Sequence, residues 1–258
     1  MLDLSSYLAR IHYTGPTAPT LGTLCAIHHA HMLAVPFENL DISMGRKIVL
    51  DEDALLRKIV EQRRGGFCYE MNGAFAALLR ALGFTVTLLS ARVSRESGGE
   101  GPEFDHLALR IDLPENESWL ADVGFGDSFL KPLRLKNDIE QPDPAGVFRV
   151  VRFDQRWQME KLYPSAWRQQ YSFTLQPRQL SDFAGMCHYH QTSPETSFTQ
   201  NTICTRATTE GRITLSGPKL IQTRHGHREE RLLTTEGERI AVLREHFGIE
   251  LPTDSDGG

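Results

Sequence analysis

Apolar residues recur every three or four positions through the first third of the chain and every second position through much of the remainder, so the pattern predicts helices first and strands after them. Leu4, Tyr7, Leu8 and Ile11 predict a first helix, closed by a loop rich in Pro, Gly and Thr. A second stripe runs through Leu21, Leu24, Cys25, His28, His31, Met32 and Val35 until Pro36, which cannot continue a helix. Asp51 predicts an N-cap for a third, with Leu55, Leu56, Ile59 and Val60 on one face. A fourth comes after Arg63-Arg64-Gly65-Gly66-Phe67-Cys68, carries Met71, Phe75, Leu78, Leu79 and Leu82 on one side, and stops at Gly83.

From Phe84 the period changes to two. Phe84–Val93, Phe104–Leu113 and Trp119–Val123 read as strands, with a glycine-rich loop at Ser97–Pro102 and a five-residue loop, Pro-Glu-Asn-Glu-Ser, between the last two. Phe148–Phe153, Gln170–Leu175 and Thr202–Thr208 extend the β region, and Ile213–Leu215 with Leu220–Thr223 predict a hairpin. Glu236–Phe247 reads as a last helix before a frayed polar tail, Asp254–Gly258. Helices, then sheet, then a mixed end make an α+β protein.

Composition narrows the function. The chain has 258 residues, 40% of them hydrophobic and 24% charged, which fits a globular protein and excludes a disordered or collagen-like one. A net charge of -5 lacks the basic footprint of a nucleic-acid binder, so a small-molecule partner is expected. The longest stretch without Asp, Glu, Lys or Arg, Ile11 to Phe37, contains Pro16, Pro19 and four histidines, and no membrane span is expected there. No signal-peptide pattern is seen at Met1-Leu2-Asp3-Leu4, and four cysteines without a C-x-x-C pair are expected to be reduced, which places the protein in the cytoplasm.

Cys68 is the first candidate for chemistry. It comes after two glycines and opens a helix, where unpaired amides and the helix dipole favour a thiolate, and its own N–H is a candidate oxyanion donor. The glycines are expected to leave room for a substrate carbonyl. His106 shares a strand face with Phe104, Ala108 and Arg110, away from the more apolar Leu107, Leu109, Ile111 and Leu113. Asp122 lies on the next strand. A five-residue loop would set Leu113 opposite Trp119 and Arg110 opposite Asp122, which puts Asp122 on the face of His106 but about four residues along it. The set can work as nucleophile, base and orienter, in an order also found in papain-like and transglutaminase-like enzymes.

Val35-Pro36-Phe37-Glu38-Asn39-Leu40-Asp41, Arg63-Arg64-Gly65-Gly66-Phe67-Cys68-Tyr69-Glu70-Met71-Asn72-Gly73, Asp105-His106 and Ala121-Asp122-Val123-Gly124-Phe125-Gly126 closely resemble the arylamine N-acetyltransferases. The likeness runs over nearly the whole chain and weakens after about Leu215. It implies a helical bundle over 1–83, a β-barrel over 84–190 and an α/β lid over 191–258, with a Cys68, His106, Asp122 triad. It further implies a ping-pong reaction in which Cys68 takes an acetyl group from acetyl-coenzyme A and passes it to an arylamine or arylhydrazine. Phe37, Phe125 and Gly126 match substrate-binding positions, Phe125 as an aromatic held on a flexible loop. An amide synthase or a thiol hydrolase would use the same triad.

Glu38 and Arg64 are expected to pair and brace the loop before Cys68. The other histidines and cysteines suggest zinc less strongly than packing. Cys25, His28 and His31 lie on an apolar stripe while His29 turns away; His188 and His190 alternate about Tyr189 as in a strand or loop; and His225 and His227 read as an exposed turn. No metal is expected. No Walker or dinucleotide glycine pattern marks a site for the coenzyme A phosphates, and no residue is assigned to them.

Overall fold

Proline and glycine set the limits of the helical third. In the computed structural model, which describes residues 3–95, 97–114 and 117–251, α1 (Leu4–Arg10) and α2 (Leu21–Ala34) are capped by the Asp3 and Thr20 side chains, and Val35-Pro36 turns the chain into a two-residue strand, β1 (Phe37–Glu38). The short α3 (Leu40–Ser43) comes next, unannounced by the pattern. Asp51 caps α4 (Glu52–Leu56) as expected, but the helix widens into a π-turn over Arg57–Glu61. The long α5 (Cys68–Ala81) begins at the candidate nucleophile and is buried along nearly its whole length. Arg10 is buried and donates to the carbonyls of Ala34 (3.0 Å), Ile59 (2.9 Å) and Arg63 (3.2 Å), a cation placed where segment ends leave carbonyls unpaired.

Eight strands form one sheet: β2 (Thr85–Val93), β3 (His106–Leu113), β4 (Glu117–Ala121), β5 (Leu133–Arg134), β6 (Gln141–Asp143), β7 (Gly146–Phe153), β8 (Arg156–Tyr163) and β9 (Ala166–Phe173). Their order is β5-β4-β3-β2-β9-β8-β7-β6, and the sheet curls into a nearly closed barrel. The two edges meet through one side chain: Gln141 accepts from the Arg134 amide (2.7 Å) and donates to the Arg134 carbonyl (3.1 Å). Leu107, Leu109 and Ile111 of β3 pack on α5 and the other helices, while Ala108 faces the barrel interior with Leu89, Phe148, Met159 and Tyr171. His106 shares that inner face, as the alternation predicts.

After the barrel come α6 (Ala184–Thr192), α7 (Ser197–Gln200), a meander of β10 (Ile203–Thr208), β11 (Gly211–Ser216), β12 (Lys219–Arg224) and β13 (His227–Leu232), and α8 (Glu236–Phe247). The meander and β1 make a second, five-stranded sheet in the order β1-β10-β11-β12-β13, covered by Val242, Leu243 and Phe247 of α8. The expected break at 83 falls between α5 and β2, and that at 190 falls inside α6.

Several local expectations change. His188 and His190 sit on a helix: their alternation about Tyr189 mimics a strand, yet the turn before it ends in Phe183, which anchors α6 in the core. His225 lies in a turn at φ 49°, but His227 begins β13, whose six residues are all exposed and carry no apolar alternation to read. Phe104 precedes the strand rather than joining it, at φ 66°. The β3–β4 loop is two residues tighter than expected, since β4 starts at Glu117; Glu115 and Asn116 in it, and the tail Asp254–Gly258, lie outside the described residues. Leu113 therefore faces Glu117 and Arg110 faces Leu120, not Trp119 and Asp122.

Candidate active site

That register brings the candidate residues together. With Leu109 opposite Ala121, the chain leaves β4 just before Asp122, two residues closer to His106 than the longer loop would allow. Asp122 Oδ2 lies 2.7 Å from His106 Nε2, and both residues are buried. Bonding through Nε2 leaves Nδ1 as the other ring nitrogen of an imidazole that lines a cavity of about 630 Å³ together with Cys68. Tyr171 and Phe125 pack against the same imidazole, with centroids 5.1 and 5.2 Å away.

Three neutral groups serve the other side of Asp122. Asn72, one helical turn after Cys68, donates from Nδ2 to Asp122 Oδ1 (2.8 Å) and to the Leu107 carbonyl (2.6 Å), and accepts from the Val123 amide (2.9 Å). The Gly124 amide donates to Asp122 Oδ1 (2.9 Å). His28 Nε2 accepts from the Asp122 amide (3.2 Å) while Nδ1 donates to the Leu130 carbonyl (2.9 Å), an arrangement that fixes its neutral tautomer. Burial also pushes the His28 pKa down. Burial alone would raise the Asp122 carboxyl, but His106, Asn72 and the Gly124 amide hold it below the ordinary carboxylate range. The sequence pattern marks neither Asn72 nor His28 as part of the site. Asn72 stands within the family motif, but nothing in its type says which groups it joins.

Two expectations about Cys68 change. Burial pushes its thiol well above the ordinary value, against the Leu107 amide that favours the charged form, so the helix start is not the dominant influence on its acidity. Nor do the glycines clear space for a substrate. A Cβ at Gly65 would lie 1.8 Å from the Pro36 carbonyl oxygen, and one at Gly66 would lie 2.7 Å from Glu70 Cβ and Oε2. They let the loop press against β1 and let Glu70 fold back to accept from the Phe67 amide (3.1 Å). The expected Glu38–Arg64 pair is present at 2.8 Å with both side chains buried.

A profile described as N-acetyltransferase matches residues 20–255, and the arylamine N-acetyltransferase of Escherichia coli (strain K12) is 35% identical over 249 residues, 95% of this chain and 88% of the relative. The chain belongs to the arylamine N-acetyltransferase family. Solved arylamine N-acetyltransferases superpose closely: that of Salmonella typhimurium at a TM-score of 0.92, 32% identity and coverage of 100% of this chain and 95% of its own, and that of Nocardia farcinica at 0.87, 39%, 97% and 90%. The Mycobacterium marinum enzyme, solved in complex with CoA, matches at 0.89 and 32% over 96% of this chain and 93% of its own.

Within this N-acetyltransferase cavity, Phe37 and Phe125 form part of the wall, while Gly126 does not line it. Gly126 takes φ 86°, and a Cβ there would approach Phe37 and Thr205 at 3.9 and 3.8 Å. Phe125 packs against both His106 and Tyr171, with ring centroids 5.2 and 5.1 Å away. Tyr189, His190 and Phe198 from α6 and α7 also line the cavity, Phe198 beside Phe37 with ring centroids 6.2 Å apart, a contribution the sequence pattern does not signal. Among the described residues no three His, Cys, Asp or Glu side chains converge as a metal site: His31 meets the Tyr7 hydroxyl (3.1 Å), and His190 Nε2 lies 3.1 Å from Asp105 Oδ1. No described helix is long and apolar enough to cross a membrane.

Proposed function

We propose that the chain transfers an acetyl group from acetyl-coenzyme A to the nitrogen of an arylamine or arylhydrazine, by a ping-pong reaction through acetyl-Cys68. The observation that carries this reading is the cavity shared by Cys68 and His106, with Asp122 bonded to the far nitrogen of the imidazole. His106 Nδ1 takes the proton of Cys68 so that sulfur can attack the thioester carbon. Asp122 stabilises the imidazolium that forms and sets its orientation. The Cys68 amide, in the first turn of α5 where no intrahelical acceptor exists, faces the developing oxyanion.

Collapse of the tetrahedral intermediate expels coenzyme A as its thiol, carrying the proton from His106, and leaves the thioester on Cys68. An aromatic amine, neutral at pH 7, then attacks that thioester; its proton passes to His106, and Cys68 departs with it. Phe37, Phe125 and Phe198 suit a flat aromatic acceptor. Four free cysteines suit a reducing, cytoplasmic setting.

Intact-protein mass spectrometry after brief mixing with acetyl-coenzyme A tests this reading. One acetyl group is expected on the wild type and none on Cys68→Ala, discharged faster by arylamines than by water. Discharge by water as fast as by any amine would instead make the protein a thioester hydrolase, and a missing acyl-enzyme would remove the acetyl-transfer reading.

A further inference from the structure

Beneath the nucleophile runs a buried ladder of charge. Arg64 bridges Glu38 (2.8 Å) and Asp41 (3.1 Å); Lys58 bridges Asp41 and Glu70 (2.7 Å each); Glu70 then accepts from the Phe67 amide (3.1 Å), immediately before Cys68. Lysine is almost never buried unless paired, and the Lys58 side chain is only 11% exposed. It sits in the π-turn Arg57–Glu61, a rare helical form that occurs mostly at functional sites.

We propose that Lys58 is a positioning residue for Cys68, holding Glu70 as a carboxylate so that Glu70 fixes the Phe67 amide and the first turn of α5. This rests on the reading of Cys68 as the nucleophile. Three carboxylates share two cations here, and burial pushes Glu70 up to about 7 even with Lys58 beside it. Replacing a buried ion pair by apolar groups often stabilises a protein, so stability alone is a weak reason to keep one. The ladder ends on the backbone of Phe67, the residue before the nucleophile, where geometry rather than stability is at stake. Gly66 belongs to the same device, since its missing side chain is what admits Glu70.

The test compares wild type, Lys58→Met, Lys58→Arg and Lys58→Met/Glu70→Gln. The readouts are the rate of Cys68 acetylation by acetyl-coenzyme A, the pH profile of its alkylation by iodoacetamide, and the melting temperature. Lys58→Met is expected to slow acetylation at least tenfold and to shift the alkylation profile. Lys58→Arg keeps the charge and the wild-type profile, and the double variant recovers to within threefold, because a neutral amide oxygen at position 70 holds the Phe67 amide without a cation. A Lys58→Met protein that melts earlier but acetylates and alkylates as wild type overturns the proposal. If that variant does not fold, Glu70→Gln decides: slower alkylation supports the ladder, because its amide NH2 then opposes Lys58, and an unchanged profile overturns it. Failure of the wild type to form acetyl-Cys68 would remove the underlying reading instead.

Discussion

The two flanks of the site are braced by opposite means. On the nucleophile side five charged residues, Glu38, Asp41, Lys58, Arg64 and Glu70, interlock beneath the loop that ends at Cys68. On the base side one carboxylate, Asp122, is held by neutral donors: Asn72 and the Gly124 amide. Ion pairs suit the first flank, where a backbone must be fixed and no proton is exchanged with the substrate. On the second flank, a further cation bonded to Asp122 would compete with the imidazolium for its charge. Neutral bracing leaves that charge to His106.

The largest effect that would break this contrast is at Asp122. Asp122→Asn keeps the size of the side chain but removes the counter-charge and the tautomer control, and acetyl-enzyme formation should fall by about 10³–10⁴, read by quenched-flow mass spectrometry. A loss under tenfold would show that neutral bracing protects nothing needed for the reaction. Next, Arg64→Met strands the Glu38 carboxylate in the interior, while Asp41 keeps Lys58, and should cost about 3–5 kcal/mol in urea unfolding.

The Glu38–Arg64 pairing sharpens the comparison further. Glu38→Arg combined with Arg64→Glu should be more stable than the sum of the two single changes by about 1–3 kcal/mol, and simple additivity would refute direct coupling. The smallest effect belongs to the neutral histidines. Burial lowers the pKa of both His28 and His31, so the unfolded chain binds protons first; their contribution is complete above about pH 6.5 and is lost as pH falls below it, at about 1.4 kcal/mol per pH unit for each. His31→Gln should remove one of these two contributions from the acid slope, and an unchanged slope would show that His31 does not stay neutral.

Legibility in the sequence divides along similar lines. Helices with a strong stripe, the face of His106 and the Glu38–Arg64 pair can all be read, because periodicity and charge are local signals. Register differs from expectation by two residues, since it depends on where β4 begins within a polar stretch. Asn72 and His28 give no sign of their roles, which come from partners 35 to 102 positions away. Lys58 is equally silent: a lysine near the end of an apolar face reads as solvated until the π-turn buries it. The glycines attract notice for the wrong reason, because a sequence does not tell which neighbour needs the space. His188 and His190 show the converse, an alternation that a helix satisfies as well as a strand does.

Phe37, which lines the cavity, belongs to a strand whose sheet partner is β10, with Phe37 opposite Thr205 and Glu38 opposite Cys204. More than half the polypeptide must therefore leave the ribosome between the synthesis of β1 and the synthesis of its neighbour. A nascent chain that has completed the helices and the barrel already carries Cys68, His106 and Asp122, yet Phe37 has no strand beside it and Tyr189, His190 and Phe198 have only begun to emerge. Contacts so distant in sequence form late. The thiol is thus made early and enclosed late, and premature termination before Tyr189 would release the centre without the part of its wall that α6 and α7 supply.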